Sequence, residues 1–107
     1  VFEAISGTTY EVKTCLRAWD YGKTLVELRR VINGVWTDYG LLHTRADAWA
    51  FVTHKDILVI ATEDLKNLIL RENSFREETD GESDNARKIR IRVDLHKIIE
   101  RGQQWER

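Results

Sequence analysis

The sequence predicts an α/β fold of the α+β kind: a central mixed β-sheet flanked by short helices. Two observations point there. Alternating or β-branched runs of strand length recur along the whole chain, notably at residues 8–15, 24–32, 56–61 and 87–93. Only a few stretches keep helical spacing, and each is short and carries its own capping residue. With 107 residues, the chain suffices for a single domain, residues 1–107, built on one core.

Taken in order, residues 1–5 and 8–15 read as two strands joined by a tight turn at Ser6-Gly7. A three-residue loop would set Glu3 opposite Glu11, and a two-residue loop would set it opposite Tyr10. Within the second strand, Glu11 and Lys13 share one face because side chains alternate, and Val12 is expected to point into the core. Residues 16–23 read as a loop. Residues 24–32 form a long strand that turns at Asn33-Gly34 into residues 35–39. Thr44 reads as an N-cap with Asp47 three residues on, so a short helix is expected through Ala46, Trp49 and Ala50. A strand pair, 49–53 and 56–61, should follow around His54-Lys55.

Thr62 is expected to cap a helix over 63–71, where Leu65, Leu68 and Ile69 make the apolar face and Glu63 and Asp64 suit the positive end of the helix dipole. The polar stretch 73–86 reads as a mobile loop or hairpin linker. In the strand after it, Ile89, Ile91 and Val93 alternate with Lys88, Arg90 and Arg92, which gives one buried row and one basic stripe. The stripe serves either nucleic-acid binding or protection of an edge strand. Asp94 caps a last helix with Leu95, Ile98 and Ile99 inward, and Gly102 stops it.

Composition narrows the function classes. Apolar content of 42% and charged content of 33% are ordinary for a globular protein, and no apolar run has the length to cross a bilayer. The lone Cys15 has no partner for a disulfide or a zinc site, which suits a reducing cytoplasm, and His43, His54 and His96 lack ligand spacing. A net charge of −1 does not advertise a nucleic-acid binder, so the distribution of charge matters more than its sum. The opening on Val1-Phe2, without an initiator methionine, points to a trimmed start or to an element missing upstream.

The triplet Glu11-Val12-Lys13 is the main chemical signal. A carboxylate for a divalent cation beside an ammonium for the attacking water is what a metal-dependent phosphodiesterase needs. A solvated ion pair has the same appearance. Three pieces stand in order around the triplet: Tyr10-Glu11-Val12-Lys13-Thr14, Gly22-Lys23-Thr24-Leu25-Val26-Glu27, and the run from Gly40 through Ala46-Asp47-Ala48-Trp49 to Val52. In this order they resemble a small phage and bacterial branch of the PD-(D/E)XK nuclease superfamily, and the strand and helix after them continue the likeness.

That resemblance implies a restriction-endonuclease-like core and an endonuclease or resolvase-like enzyme that hydrolyses DNA with Mg²⁺ or Mn²⁺. Glu11, the Val12 carbonyl and Glu3 would hold the metal, Lys13 would orient or deprotonate water, and Glu27 would assist. Arg45, at the start of a helix, would join Lys88, Arg90 and Arg92 in contacting DNA. Enzymes of this fold often pair to cut both strands, so a homodimer is among the expectations; a membrane is not. The family's usual Asp on the strand before Glu11 has no counterpart here. Glu3 is the only acid upstream, and the alternatives are an acid lost with the true start or an inactive domain that binds nucleic acid or protein.

Overall fold

The computed structural model describes residues 1–71, 75–79 and 87–107, with the backbone alone for 75–79. The expected single sheet is divided in two. The first sheet has five strands in the order β1-β2-β5-β6-β9, and the second has four in the order β4-β3-β8-β7. In the first, β1 (Phe2–Glu3) runs antiparallel to β2 (Thr9–Thr14), which runs parallel to β5 (Ala48–Val52). β6 (Asp56–Ala61) and β9 (Gln103–Glu106) extend it by antiparallel pairing, so the sheet is mixed. The second is antiparallel throughout: β3 (Lys23–Ile32), β4 (Val35–Asp38), β7 (Phe75–Thr79) and β8 (Arg87–Asp94).

Local chemistry explains most of these elements. Asn33 and Gly34 both take positive φ, 51° and 79°, the pairing a two-residue hairpin turn demands, and the expected turn stands. Residues 16–23 are not all loop, since Ala18–Tyr21 forms the short helix α1 and Gly22, with φ 70°, ends it in the left-handed region. The helix expected through Ala46 and Trp49 does not form. A 3₁₀ turn, Gly40–Leu42, comes earlier, and Ala48 and Trp49 already belong to β5.

Asp47 caps no helix there. Its Oδ2 accepts from the Thr9 amide at 2.9 Å and from Thr9 Oγ1 at 3.1 Å, so the acid clamps the start of β2 to the start of β5. Thr62 is the first residue of α2 (Thr62–Leu70) and not its cap, because its hydroxyl donates to the Ala46 carbonyl at 2.7 Å. Asp94 does cap α3 (Leu95–Arg101), accepting from the His96 amide at 2.8 Å, and Gly102 stands at its end as expected. Of the loop expected at 73–86, residues 75–79 pair with β8 as a hairpin arm; the remainder lies outside the described residues.

Both sheets and both longer helices share one core. Trp49, Phe51, Leu58 and Ile60 from the first sheet meet Val26, Leu28, Ile91 and Val93 from the second, and Leu65, Leu68, Leu95 and Ile98 close the cluster. The predicted burial of β8 holds for Ile91 and Val93, with Ile89 packed against the cluster. β8 lies between β3 and β7, so its basic stripe does not protect an edge. No helix among the described residues is long and apolar enough to cross a membrane.

Candidate functional site

The register of β2 reverses the expected facing of its central triplet. Glu11 lies beside Trp49 and Lys13 beside Phe51 across the β2–β5 ladder, so both charged side chains project from the face that carries the core. Val12 lies beside Ala50 on the opposite face and is 48% exposed, not buried. The cause is position in the sheet. β2 stands one strand out from the core strand β5, and beyond Trp49 its inward face opens onto a cleft of about 1030 Å³.

The floor of the cleft is the outer face of the second sheet. Cross-strand partners share a face, so Leu25 stands with Arg92 and Glu27 with Arg90, and all four line the cleft. Lys13, Trp49, Tyr21 and the Tyr39-Gly40 corner build the walls. Residues as far apart in sequence as Lys13, Glu27, Arg90 and Arg92 therefore converge. Glu11 joins them through Lys13, whose Nζ lies 3.1 Å from Glu11 Oε1 and 5.5 Å from the Trp49 ring centroid.

Glu27 is held rigidly. Arg30 donates to its two oxygens from Nε at 2.9 Å and from Nη2 at 3.2 Å, a fork that fixes both groups. The Arg30 guanidinium in turn lies 4.2 Å from the Tyr39 ring centroid. A β-bulge between Glu27 and Arg29 shifts the register here, which brings Arg30 to the Glu27 side of the strand. Gly40 makes the arrangement possible: its φ is 53°, and a Cβ would fall 2.2 Å from the Glu27 carbonyl oxygen.

Glu3 pairs with Thr9 because the first hairpin loop starts one residue earlier than predicted: the Ala4 amide bonds the Thr8 carbonyl at 2.8 Å, which leaves Ile5, Ser6 and Gly7 as the loop. Glu3 therefore faces neither Glu11 nor Tyr10. Arg45 lies in irregular chain before β5, not at a helix start, and is not part of the cleft lining; nor is Lys88. Among the described residues no three His, Cys, Asp or Glu side chains gather as a metal-holding group.

Cys15 also lines the cleft. Burial pushes its thiol up and the Asp56 charge adds to this, outweighing the Thr24 hydrogen bond, so it is a poor thiolate nucleophile. Tyr21, Lys23 and Tyr39 also line the cleft, although no motif in the sequence marks them as site residues. The available signal was their place beside Gly22 and Gly40, at junctions where the chain must turn sharply. Comparison with family models, curated proteins and solved structures finds no match to this chain.

Proposed function

We propose that the cleft binds the phosphate backbone of DNA and that the chain is a metal-dependent phosphodiesterase of endonuclease type with a restriction-endonuclease-like core. The convergence of Lys13, Glu27, Arg90 and Arg92, with Glu11 on Lys13, carries this reading. Cations at the floor suit phosphate oxygens, and an acid beside an ammonium suits the chemistry of a scissile bond.

Mg²⁺ commonly binds through one or two carboxylates and takes its remaining ligands from water and substrate phosphates, which is the donor set offered here. Glu11, assisted by Glu27, would hold Mg²⁺ or Mn²⁺, and Val12 would contribute only its carbonyl. The ion would supply Lewis-acid polarisation of the phosphate. Lys13, released from Glu11, would orient the attacking water or the phosphate, and Arg90 and Arg92 would neutralise neighbouring phosphates. The Glu11–Lys13 pair is half-exposed, so solvent screens it and opening it on ligand binding costs little.

Incubation of linear, nicked, branched and single-stranded DNA with protein and Mg²⁺ or Mn²⁺ tests the reading. Cleavage is expected, with Lys13→Ala reducing the rate by about 100-fold or more. Inactive wild-type protein, or an undiminished Lys13→Ala variant, would refute the enzyme. A second reading, a non-catalytic nucleic-acid binder, draws on Glu11 and Glu27 both being ion-paired already. Titration calorimetry with Mn²⁺ separates the two, since only the enzymatic site should take up the ion, and Glu11→Gln should abolish that uptake.

A further inference from the structure

The cleft holds aromatic rings that backbone binding does not use. Tyr21 closes α1 at the cleft wall and is 72% exposed, an unusual place for a large ring with no neighbour to stack on among the described residues. Tyr39, also in the cleft lining, is 37% exposed, and the Arg30 guanidinium covers one of its faces. Trp49 is only 2% exposed, yet its indole N–H finds no acceptor among the described residues, although the ring borders the cleft. Lys23 and Arg92, at the floor, have no ion-pair partner among the described residues.

Aromatic platforms interleaved with unneutralised cations are the means by which proteins hold unpaired strands, because every base offers a ring face once it leaves the duplex. Bases stacked inside a duplex cannot reach Tyr21 or Tyr39. Reading base edges in the major groove of a duplex instead takes a convex element, a helix or a two-stranded ribbon, that enters the groove. The feature here is concave, and α1 has only 4 residues. A cavity of about 1030 Å³ matches the size of pockets that enclose small organic ligands, so it suits a short single-stranded segment.

We infer that the substrate segment seated in this cleft is unpaired DNA, with Tyr21 and Tyr39 stacking its bases, Lys23 and Arg92 contacting its phosphates, and the Trp49 N–H free to donate to an acceptor it brings. The inference rests on the reading of the cleft as a DNA site and adds the strand state. The test uses the full chain in EDTA, so that nothing is cut, with fluorescence anisotropy of a labelled twelve-nucleotide oligothymidylate and of a twelve-base-pair duplex at about 50 mM salt. The single strand should bind at least about tenfold tighter. Tyr21→Ala should weaken it by about 5- to 100-fold, and Tyr21→Phe should restore it.

Because Tyr21 is so exposed, both variants should keep the wild-type circular dichroism spectrum. Equal or tighter duplex binding, or an oligothymidylate affinity unchanged in Tyr21→Ala, overturns the single-strand assignment and leaves the DNA cleft standing. Failure of wild-type protein to bind either probe overturns the cleft reading itself.

Discussion

Gly40 shows how one residue type sets the site. A side chain there faces two separate penalties, because φ of 53° disfavours any L-residue and a Cβ would fall within 2.2 Å of the Glu27 carbonyl oxygen. Gly34 isolates the first penalty: its φ is 79°, but nothing lies within 4 Å of its would-be Cβ. Gly34→Ala should therefore cost about 1–2 kcal/mol from backbone strain alone. Gly40→Ala should cost about 2–5 kcal/mol once overlap is added, and should lower DNA affinity because Tyr39 and Glu27 must move apart. Urea denaturation of the two variants gives the comparison, and equal losses would show that the close approach carries no energy. Val12 is exposed where a core position was expected. Alternation correctly separated Val12 from Glu11 and Lys13, but which face is buried depends on the strand's neighbours, and β2 is displaced outward from the core strand β5.

Among the elements, Asp56 does more than begin β6. Its carboxylate accepts from Trp19 Nε1 at 3.0 Å and from Gln104 Nε2 at 2.9 Å, and it also bonds the Thr53 hydroxyl, so it ties α1 and β9 to β6 while only 1% exposed. Burial pushes this carboxyl up, but the hydrogen bonds from Thr53, Gln104 and Trp19, together with the Lys55 charge, outweigh burial and hold it below the ordinary range. A lowered folded-state value means that the unfolded chain binds the proton more readily. The contribution is thus full above the ordinary carboxylate range, near pH 4, and is lost as pH falls through the folded-state value. Asp56→Asn should be less stable than wild type at pH 7 by about 1.5–3 kcal/mol, with the gap closing on acidification. Parallel stability curves from pH 7 to pH 2 would contradict this. The same element explains why β9 was illegible: Gln103–Glu106 has no strand-like alternation, and its pairing to β6 depends on the adjacent strand and on the Gln104 amide reaching Asp56. Asp94 and Asn33-Gly34 were legible because their signals are local. Asp47 resembled a helix cap in sequence and became a strand clamp because its partner, Thr9, is 38 positions away.

At the scale of the whole molecule, the net charge of −1 conceals where the charge lies. The sequence revealed the basic stripe of β8 and the Glu11–Lys13 pair separately. The topology that seats them in one cleft was beyond it, because a fold of two sheets and a fold of one central sheet place the same strands differently. The shared core couples the sheets, so loss of a central side chain should unfold both together. Leu58→Ala, at a fully buried position, should cost about 2–5 kcal/mol with tryptophan fluorescence and far-ultraviolet circular dichroism still reporting one coincident transition. Charge placement makes the further claim that DNA affinity should respond to salt through the few cleft cations and not through the total. If Lys13, Lys23, Arg90 and Arg92 each neutralise one phosphate of a single strand, the logarithm of the binding constant should fall against the logarithm of salt concentration with a slope of about −3. Arg92→Ala should make that slope shallower by about 0.7 and weaken all base sequences alike. A slope near zero would mean that phosphates do not sit among these side chains, and the charge reading of the cleft would fail however well the rings stacked.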